Sequence, residues 1–214
     1  MTGFVSPTNA SVSGETTQGG VARLPRVLEL HKPEIVIIEL GGNDAAIVLK
    51  DAIIDDVHLD RLFAAIYDTT GQICMNAKRL FVHKSRVDEV VKGLSARLEK
   101  VQLGYGLDKG TTMGPLHSPA QKSFVDSLIK EAKESGAKVL EFGELPGGDM
   151  KGGNFVRPAI VVDPKVTLRV VTEEQFGPVI PVIPFDTEED AIRMANDTWA
   201  GLAGSVWTAD PKTA

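Results

Sequence analysis

Glu39-Leu40-Gly41-Gly42 and Gly71-Gln72-Ile73-Cys74 are the two segments around which this chain of 214 residues is organised. The first segment follows the apolar run Ile35-Val36-Ile37-Ile38, which is typical of a buried strand. A strand that ends at a pair of glycines can turn abruptly, so its last side chain, that of Glu39, can project into a cleft. The second segment carries Cys74, which is the only cysteine in the chain.

A thiol and a carboxylate that meet in one cleft can act as a nucleophile and a general base. A thiolate is the strongest protein nucleophile near neutral pH, and a carboxylate can take the proton of an attacking group. If Cys74 begins a helix, the positive end of that helix would favour the thiolate. The alternative is that Cys74 is a small buried hydrophobic residue, which is the commoner role of an isolated cysteine.

The rest of the chain alternates between strand patterns and helix patterns. Strands are predicted at residues 34–40, 45–49, 80–82, 138–142, 155–162, 179–185 and 204–207, and Pro158 predicts that one of them is an edge strand or is bulged. Helices are predicted after the capping residues Asp55, Ser85, Ser118 and Thr187. The apolar face of the first helix is predicted to include Val57. This alternation predicts an α/β protein with a largely parallel sheet covered by helices.

Further motifs follow the two organising segments in a fixed order. They are Lys-Arg-Leu-Phe-Val-His at 78–83, Met-Gly-Pro-Leu at 113–116, Glu-Glu-Gln-Phe-Gly-Pro-Val at 173–179, and a series from Ala195-Asn196 to Trp207-Thr208. From Ile35 to Thr208 the sequence resembles the NAD(P)-dependent aldehyde dehydrogenase superfamily. The resemblance implies the α/β fold of that family's catalytic domain, with a mostly parallel sheet covered by helices.

The resemblance also implies an enzyme activity and a role for six residues. Cys74 is expected to attack the aldehyde carbonyl and form a thiohemiacetal, from which a hydride leaves for NAD or NADP. Glu39 is expected to activate the water that hydrolyses the resulting thioester to a carboxylic acid. On the cofactor side, Glu174 would hydrogen-bond the nicotinamide ribose, Phe176 would pack beside the nicotinamide ring, and Leu40 and Gly41 are assigned to the same cofactor site.

The matching region does not cover a complete family member. Residues 1–30 do not resemble the family and are rich in polar residues and glycine up to residue 20, so they are expected to be a loop or a disordered leader. Residues 31–214 are expected to be a catalytic domain that is incomplete at both ends. A second hypothesis therefore stands beside the enzyme, namely a non-catalytic truncated remnant that retains the fold and an oligomerisation surface.

Composition restricts the possible partners. The formal net charge of −6 gives no sign of the excess of basic residues that proteins use to bind nucleic acid. No segment is apolar for long enough to span a membrane. A single cysteine cannot form an internal disulfide, and no pair of histidines has metal-ligand spacing, so no metal site is expected. These features favour a soluble protein of a reducing compartment, the cytoplasm. The family resemblance in turn implies a small-molecule aldehyde substrate and a homo-oligomer in the full-length form.

Overall fold

The computed structural model describes residues 42–210, which contain six strands and five α-helices. The strands are β1 (Asp44–Val48), β2 (Ala77–His83), β3 (Lys138–Glu141), β4 (Ala159–Val162), β5 (Val179–Phe185) and β6 (Gly204–Trp207). The α-helices are α1 (Asp56–Tyr67), α2 (Val87–Leu98), α3 (Pro119–Glu134), α4 (Arg169–Thr172) and α5 (Glu188–Asn196). Short 3-10 turns lie at Asp68–Gly71, Lys84–Arg86 and Gly148–Met150. The predicted leader at 1–30 and the predicted strand at 34–40 lie outside the described residues.

The six strands form one sheet in the order β3-β4-β5-β2-β1-β6. β3 runs antiparallel to β4, and the other neighbouring pairs are parallel. The prediction of an α/β fold with a mostly parallel sheet is therefore confirmed. None of the helices between residues 42 and 210 is both long enough and apolar enough to cross a lipid bilayer.

The central strands of the sheet are buried on both faces. Successive side chains of a strand point to opposite faces. In β2, Leu80 and Val82 pack in a core formed with α1 and α2. The side chain between them, that of Phe81, packs in a second core formed with α3, α4 and α5. Central strands buried on both faces read as continuous apolar runs, which is why residues 80–82 could be recognised as a strand.

Three of the four predicted helix caps are confirmed. The side chains of Asp55, Ser118 and Thr187 each accept a hydrogen bond from the backbone N–H three residues later, at the starts of α1, α3 and α5. The prediction for Ser85 is wrong, since α2 begins at Val87 with no side-chain cap. The hydroxyl of Ser85 instead lies 2.8 Å from Nδ1 of His83, whose ring also accepts from the Ser85 N–H.

Two smaller predictions also need correction. Val57 is 56% exposed, because it lies two residues, and so about 200° of helical rotation, away from the buried Leu59. β4 is an inner strand between β3 and β5 and not an edge strand. Pro158 is accommodated because it lies immediately before the first residue of β4, where its carbonyl accepts a hydrogen bond from the Phe142 N–H.

Candidate functional site

The predicted cysteine segment and the predicted cofactor segment lie at the same edge of the sheet. Cys74 precedes the first residue of β2 by three positions, and Phe176 precedes the first residue of β5 by three positions. β2 and β5 are parallel neighbours, so their amino ends meet at one edge. Asp44 opens β1 on the other side of β2. The fold therefore brings two segments, separated by about a hundred positions in the sequence, to one place.

Two close backbone approaches hold these segments together. A Cβ atom on Gly71 would lie 2.3 Å from the carbonyl oxygen of Gly177, so the cysteine segment and the 173–179 segment are in backbone contact. A Cβ atom on Gly42 would lie 2.1 Å from the carbonyl oxygen of Cys74. Both distances are too short for any side chain, which is the physical reason for glycine at these positions.

The backbone beside Cys74 is strained. Thr69 and Thr70 have φ angles of 55° and 61°, in the left-handed region that β-branched residues rarely adopt, and Phe176 has a φ angle of 45°. The hydroxyl of Thr70 donates to the carbonyl of Gly114 at 3.2 Å, which helps hold this conformation. Strain of this kind persists only where the surroundings impose it, and it is concentrated at functional sites.

Buried glutamine side chains fix the 173–179 segment. Gln121, in the first turn of α3, donates through Nε2 to the carbonyls of Gln175 at 2.8 Å and Phe176 at 3.1 Å. Gln175 is fully buried and donates to the carbonyls of Lys78 at 3.0 Å and Val170 at 2.5 Å. These bonds tie the segment to β2, α3 and α4 and so fix its position.

Lys78 places a cation inside this site. The residue is 2% exposed, and its Nζ donates to the carbonyl of Gly71 at 2.7 Å and lies 5.1 Å from the ring centroid of Phe176. Burial lowers the pKa of Lys78 to about 8. The negative charges of Glu174, Asp44 and Cys74, in decreasing order of effect, oppose this shift because they favour the ammonium form. Lys78 therefore interacts with the cysteine segment, with the 173–179 segment and with β1.

Asp44 and Arg79 form a second buried group next to Lys78. Arg79 is 3% exposed and donates to the carbonyls of Asn43 at 2.8 Å, Met194 at 3.1 Å and Ala195 at 2.9 Å, which joins β2 to β1 and to the end of α5. Asp44 is 4% exposed, and burial raises the pKa of its carboxyl group. The hydrogen bond from the Ala203 N–H is the largest of the interactions that lower this pKa. A cavity of about 320 Å³ is lined by both residues but not by Cys74, so it is separate from the thiol.

The local setting of Cys74 differs from one of the predicted possibilities. Cys74 does not begin a helix; it lies in a turn between the 3-10 turn Asp68–Gly71 and β2. The positive end of a helix that starts at Cys74 is therefore not available to the thiol, but the buried cation of Lys78 interacts with it. Cys74 itself is partly exposed, and the neighbouring Met75 is 65% exposed.

The structure describes three of the six predicted site residues. Cys74, Glu174 and Phe176 are brought to one edge of the sheet, and Glu174 is 2% exposed while Phe176 is half-buried. Glu39, Leu40 and Gly41 lie outside the described residues. The first described residue, Gly42, contacts the backbone of Cys74, as described above.

Sequence reasoning missed three polar residues of the site: Lys78, Gln121 and Gln175. Lys78 could have been found from its position, because it lies two residues before the apolar run Leu80-Phe81-Val82 of β2. A charged residue in a buried strand must be paired with other polar groups. Gln121 and Gln175 gave no such signal. A glutamine in the first turn of a helix or in a loop is ordinarily exposed.

Comparison with known proteins extends these observations. The profile of the aldehyde dehydrogenase family matches residues 16–214. The betaine aldehyde dehydrogenase of Brucella anthropi is 40% identical over 178 residues, which are 82% of this chain and 36% of that protein. The mitochondrial succinate-semialdehyde dehydrogenase of Arabidopsis thaliana is 36% identical over 203 residues, which are 94% of this chain and 38% of that protein.

Solved structures agree with the sequence matches. The betaine aldehyde dehydrogenase of Staphylococcus aureus in complex with NAD+ superimposes with a TM-score of 0.82 at 33% identity, over 93% of this chain and 39% of that chain. The chain thus spans between a third and two fifths of the length of these relatives. The profile match covers nearly the whole chain, and the chain belongs to the aldehyde dehydrogenase family.

Proposed function

We propose that this chain carries the catalytic thiol and the nicotinamide-facing wall of an NAD(P)-dependent aldehyde dehydrogenase. The observation that carries the proposal is the contact between the cysteine segment and the 173–179 segment through Gly71 and Gly177, beside a partly exposed Cys74. Membership of the aldehyde dehydrogenase family supports the same assignment.

In the proposed reaction the thiolate of Cys74 attacks the carbonyl carbon of the aldehyde. A carbon–sulfur bond forms, and the carbonyl oxygen becomes an oxyanion that the backbone N–H of Cys74 would stabilise. Bound NAD(P) would accept the hydride that leaves the substrate carbon. The thioester left on Cys74 is then attacked by water while Glu39 takes a proton from that water. The carbon–sulfur bond breaks, and the carboxylic acid and the thiolate of Cys74 are released.

The 173–179 segment has the groups that the nicotinamide end of a dinucleotide requires. A carboxylate such as that of Glu174 accepts hydrogen bonds from ribose hydroxyls, and the half-buried ring of Phe176 can pack against a flat heterocycle. Because Glu174 is 2% exposed, its side chain must turn towards the cofactor before a ribose can reach the carboxylate. Leu40 and Gly41 would complete this wall.

Alkylation of Cys74 tests the proposal on the chain itself. Iodoacetamide should modify Cys74 in the folded protein, because an attacking thiol has to be both accessible and partly ionised. The modified residue is identified by mass spectrometry, with Cys74→Ala as the control for labelling elsewhere. If Cys74 reacts only after denaturation in urea, the thiol is a buried packing residue and the proposal is wrong.

A chimaera tests the activity. Residues 35–210 would replace the matching segment of the Brucella anthropi betaine aldehyde dehydrogenase, which supplies the parts that this chain does not cover. NADH formation should be lost in Cys74→Ala. Glu39→Gln should still release a burst of NADH and then turn over slowly, since hydride transfer precedes hydrolysis. Full steady-state turnover in Glu39→Gln would remove that residue from its proposed role.

Cofactor binding by the isolated 214-residue chain gives a further test. Because Glu174 and Phe176 can contact only the nicotinamide end, the isolated chain should bind NAD with a dissociation constant weaker than about 1 mM, or about 4 kcal/mol. Micromolar binding in a calorimetric titration would mean that the cofactor site lies elsewhere. A reducing compartment such as the cytoplasm would keep the single thiol available for the reaction.

A further inference from the structure

Lys78 is the residue that connects the two halves of the site. Through its side chain it donates to the carbonyl of Gly71 at 2.7 Å, and through its carbonyl it accepts from Gln175 Nε2 at 3.0 Å. Its Nζ also lies 5.1 Å from the ring centroid of Phe176, a distance at which an ammonium and an aromatic ring attract each other. One residue of β2 thus contacts the cysteine segment on one side and the 173–179 segment on the other.

The loss of hydration on burial of the Lys78 ammonium is offset by the groups around it. Burying an ammonium in a protein interior is unfavourable unless opposite charges and hydrogen-bond acceptors surround it. Among residues 42–210, the titratable groups that interact with Lys78 are Glu174 before β5, Asp44 at the start of β1 and Cys74 before β2. These three acidic groups come from three neighbouring strands, and the Gly71 carbonyl supplies a hydrogen-bond acceptor.

We propose that Lys78 is a positioning residue of this site, whose buried ammonium joins the cysteine segment to the Glu174–Phe176 segment and favours the thiolate form of Cys74. The inference rests on the proposed function through the role of Cys74. Coupling between two titrating groups is reciprocal, so a thiolate that stabilises the ammonium is stabilised by it to the same extent. Lys78 thereby supplies a positive charge to a thiol that does not itself begin a helix.

The pH dependence of Cys74 alkylation tests this inference. The rate of reaction with iodoacetamide is measured from pH 6 to pH 10 on the 214-residue chain and on three variants, Lys78→Met, Lys78→Arg and Lys130→Met. Methionine keeps the length and apolar stem of the lysine side chain without the charge, and arginine keeps the charge. Lys130 is a matched control, because its exposed side chain pairs with Glu134 on α3.

Loss of the cation should make Cys74 a weaker acid. In Lys78→Met the midpoint of the pH–rate profile should move upward by about one pH unit, so that alkylation at pH 7 is about tenfold slower. Lys78→Arg should lie closer to the unsubstituted chain than to Lys78→Met, and Lys130→Met should match the unsubstituted chain. If Lys78→Met has the same pH–rate profile as the unsubstituted chain, Lys78 contributes only to the packing of the site and the inference is wrong.

A second measurement needs no substitution and therefore does not depend on Lys78→Met folding. The Nζ resonance of Lys78 is followed by NMR as a function of pH, before and after Cys74 is alkylated. Alkylation removes an anionic partner, so the titration midpoint of Lys78 should fall. An unchanged midpoint would overturn the inference. If Cys74 of the folded, unsubstituted chain is not alkylated at all, the proposed function is wrong. If Cys74 is alkylated but the pH–rate profile of Lys78→Met is not shifted, only the inference about Lys78 is wrong.

Discussion

Gly71→Ala is expected to destabilise the fold because the position combines a left-handed backbone with a backbone contact. Gly71 has a φ of +71°, and an alanine Cβ there would lie 2.3 Å from the carbonyl oxygen and 2.8 Å from the carbonyl carbon of Gly177. The left-handed conformation costs an L-residue about 1–2 kcal/mol. Moving two packed backbone segments apart costs about a further 1–3 kcal/mol, as overpacking of a core does.

Gly136→Ala separates these two contributions. Gly136 has a φ of +84°, but a Cβ atom there would meet nothing within 4 Å. Both variants therefore incur the conformational cost, and only Gly71→Ala adds the overlap with Gly177. The difference between them should be about 1–3 kcal/mol in the free energy of unfolding.

Urea denaturation, followed by circular dichroism, measures both values on the same chain. Gly71→Ala should also slow the alkylation of Cys74, because the Gly71 carbonyl accepts the hydrogen bond of Lys78 Nζ. Gly136→Ala, which lies after α3, should leave alkylation unchanged. Equal destabilisation by the two substitutions would refute the backbone contact between the cysteine segment and the 173–179 segment.

Three further predictions concern buried charges and a helix cap. The pKa of Lys78 is about 8 in the folded chain and about 10.4 in the unfolded chain. Between about pH 8 and pH 9.5 the unfolded chain therefore holds more protons, and the free energy of unfolding should rise with pH relative to that of Lys78→Met. Urea titrations of both proteins at several pH values measure this, and parallel pH profiles would contradict it. Arg79→Met should lower the free energy of unfolding by on the order of 3 kcal/mol or more, because three carbonyls at the start of β1 and the end of α5 lose their charged donor. A decrease below about 1 kcal/mol in the same assay would mean that water replaces the guanidinium. Ser118→Ala should cost about 1 kcal/mol through loss of the hydrogen bond to the Gln121 N–H, while Ser118→Asp, which keeps an acceptor, should cost less in thermal denaturation.

The elements of the fold could largely be predicted because their signals are local. A capping side chain contacts a backbone N–H only three residues away, so Asp55, Ser118 and Thr187 carry the information for the helix starts in their own neighbourhoods. The prediction for Ser85 was wrong because its hydroxyl lies against Nδ1 of His83, two residues earlier, and does not cap α2. The choice between these partners depends on where β2 ends, which no local pattern specifies.

The site could be predicted only in part. The order of the motifs was sufficient to indicate Cys74, Glu174 and Phe176 by resemblance, and the fold places them at one edge of the sheet. The charge environment could not be predicted from the same motifs. The position of Lys78 next to an apolar run could have indicated a buried charge. Its partners, however, follow from the parallel pairing of β2 with β1 and β5, which lie on either side of it.

The sequence by itself determined the α/β class, three of the helix starts and the identity of the single thiol, since each of these depends on residues that are close together along the chain. The tertiary structure alone decided which groups surround that thiol. Glu174 lies a hundred positions after Cys74, and Asp44 lies on a different strand from Lys78. Electrostatic interactions act through space and are strengthened by burial, so the reactivity expected of Cys74 depends on how the strands pair and not on the residues next to it in the chain.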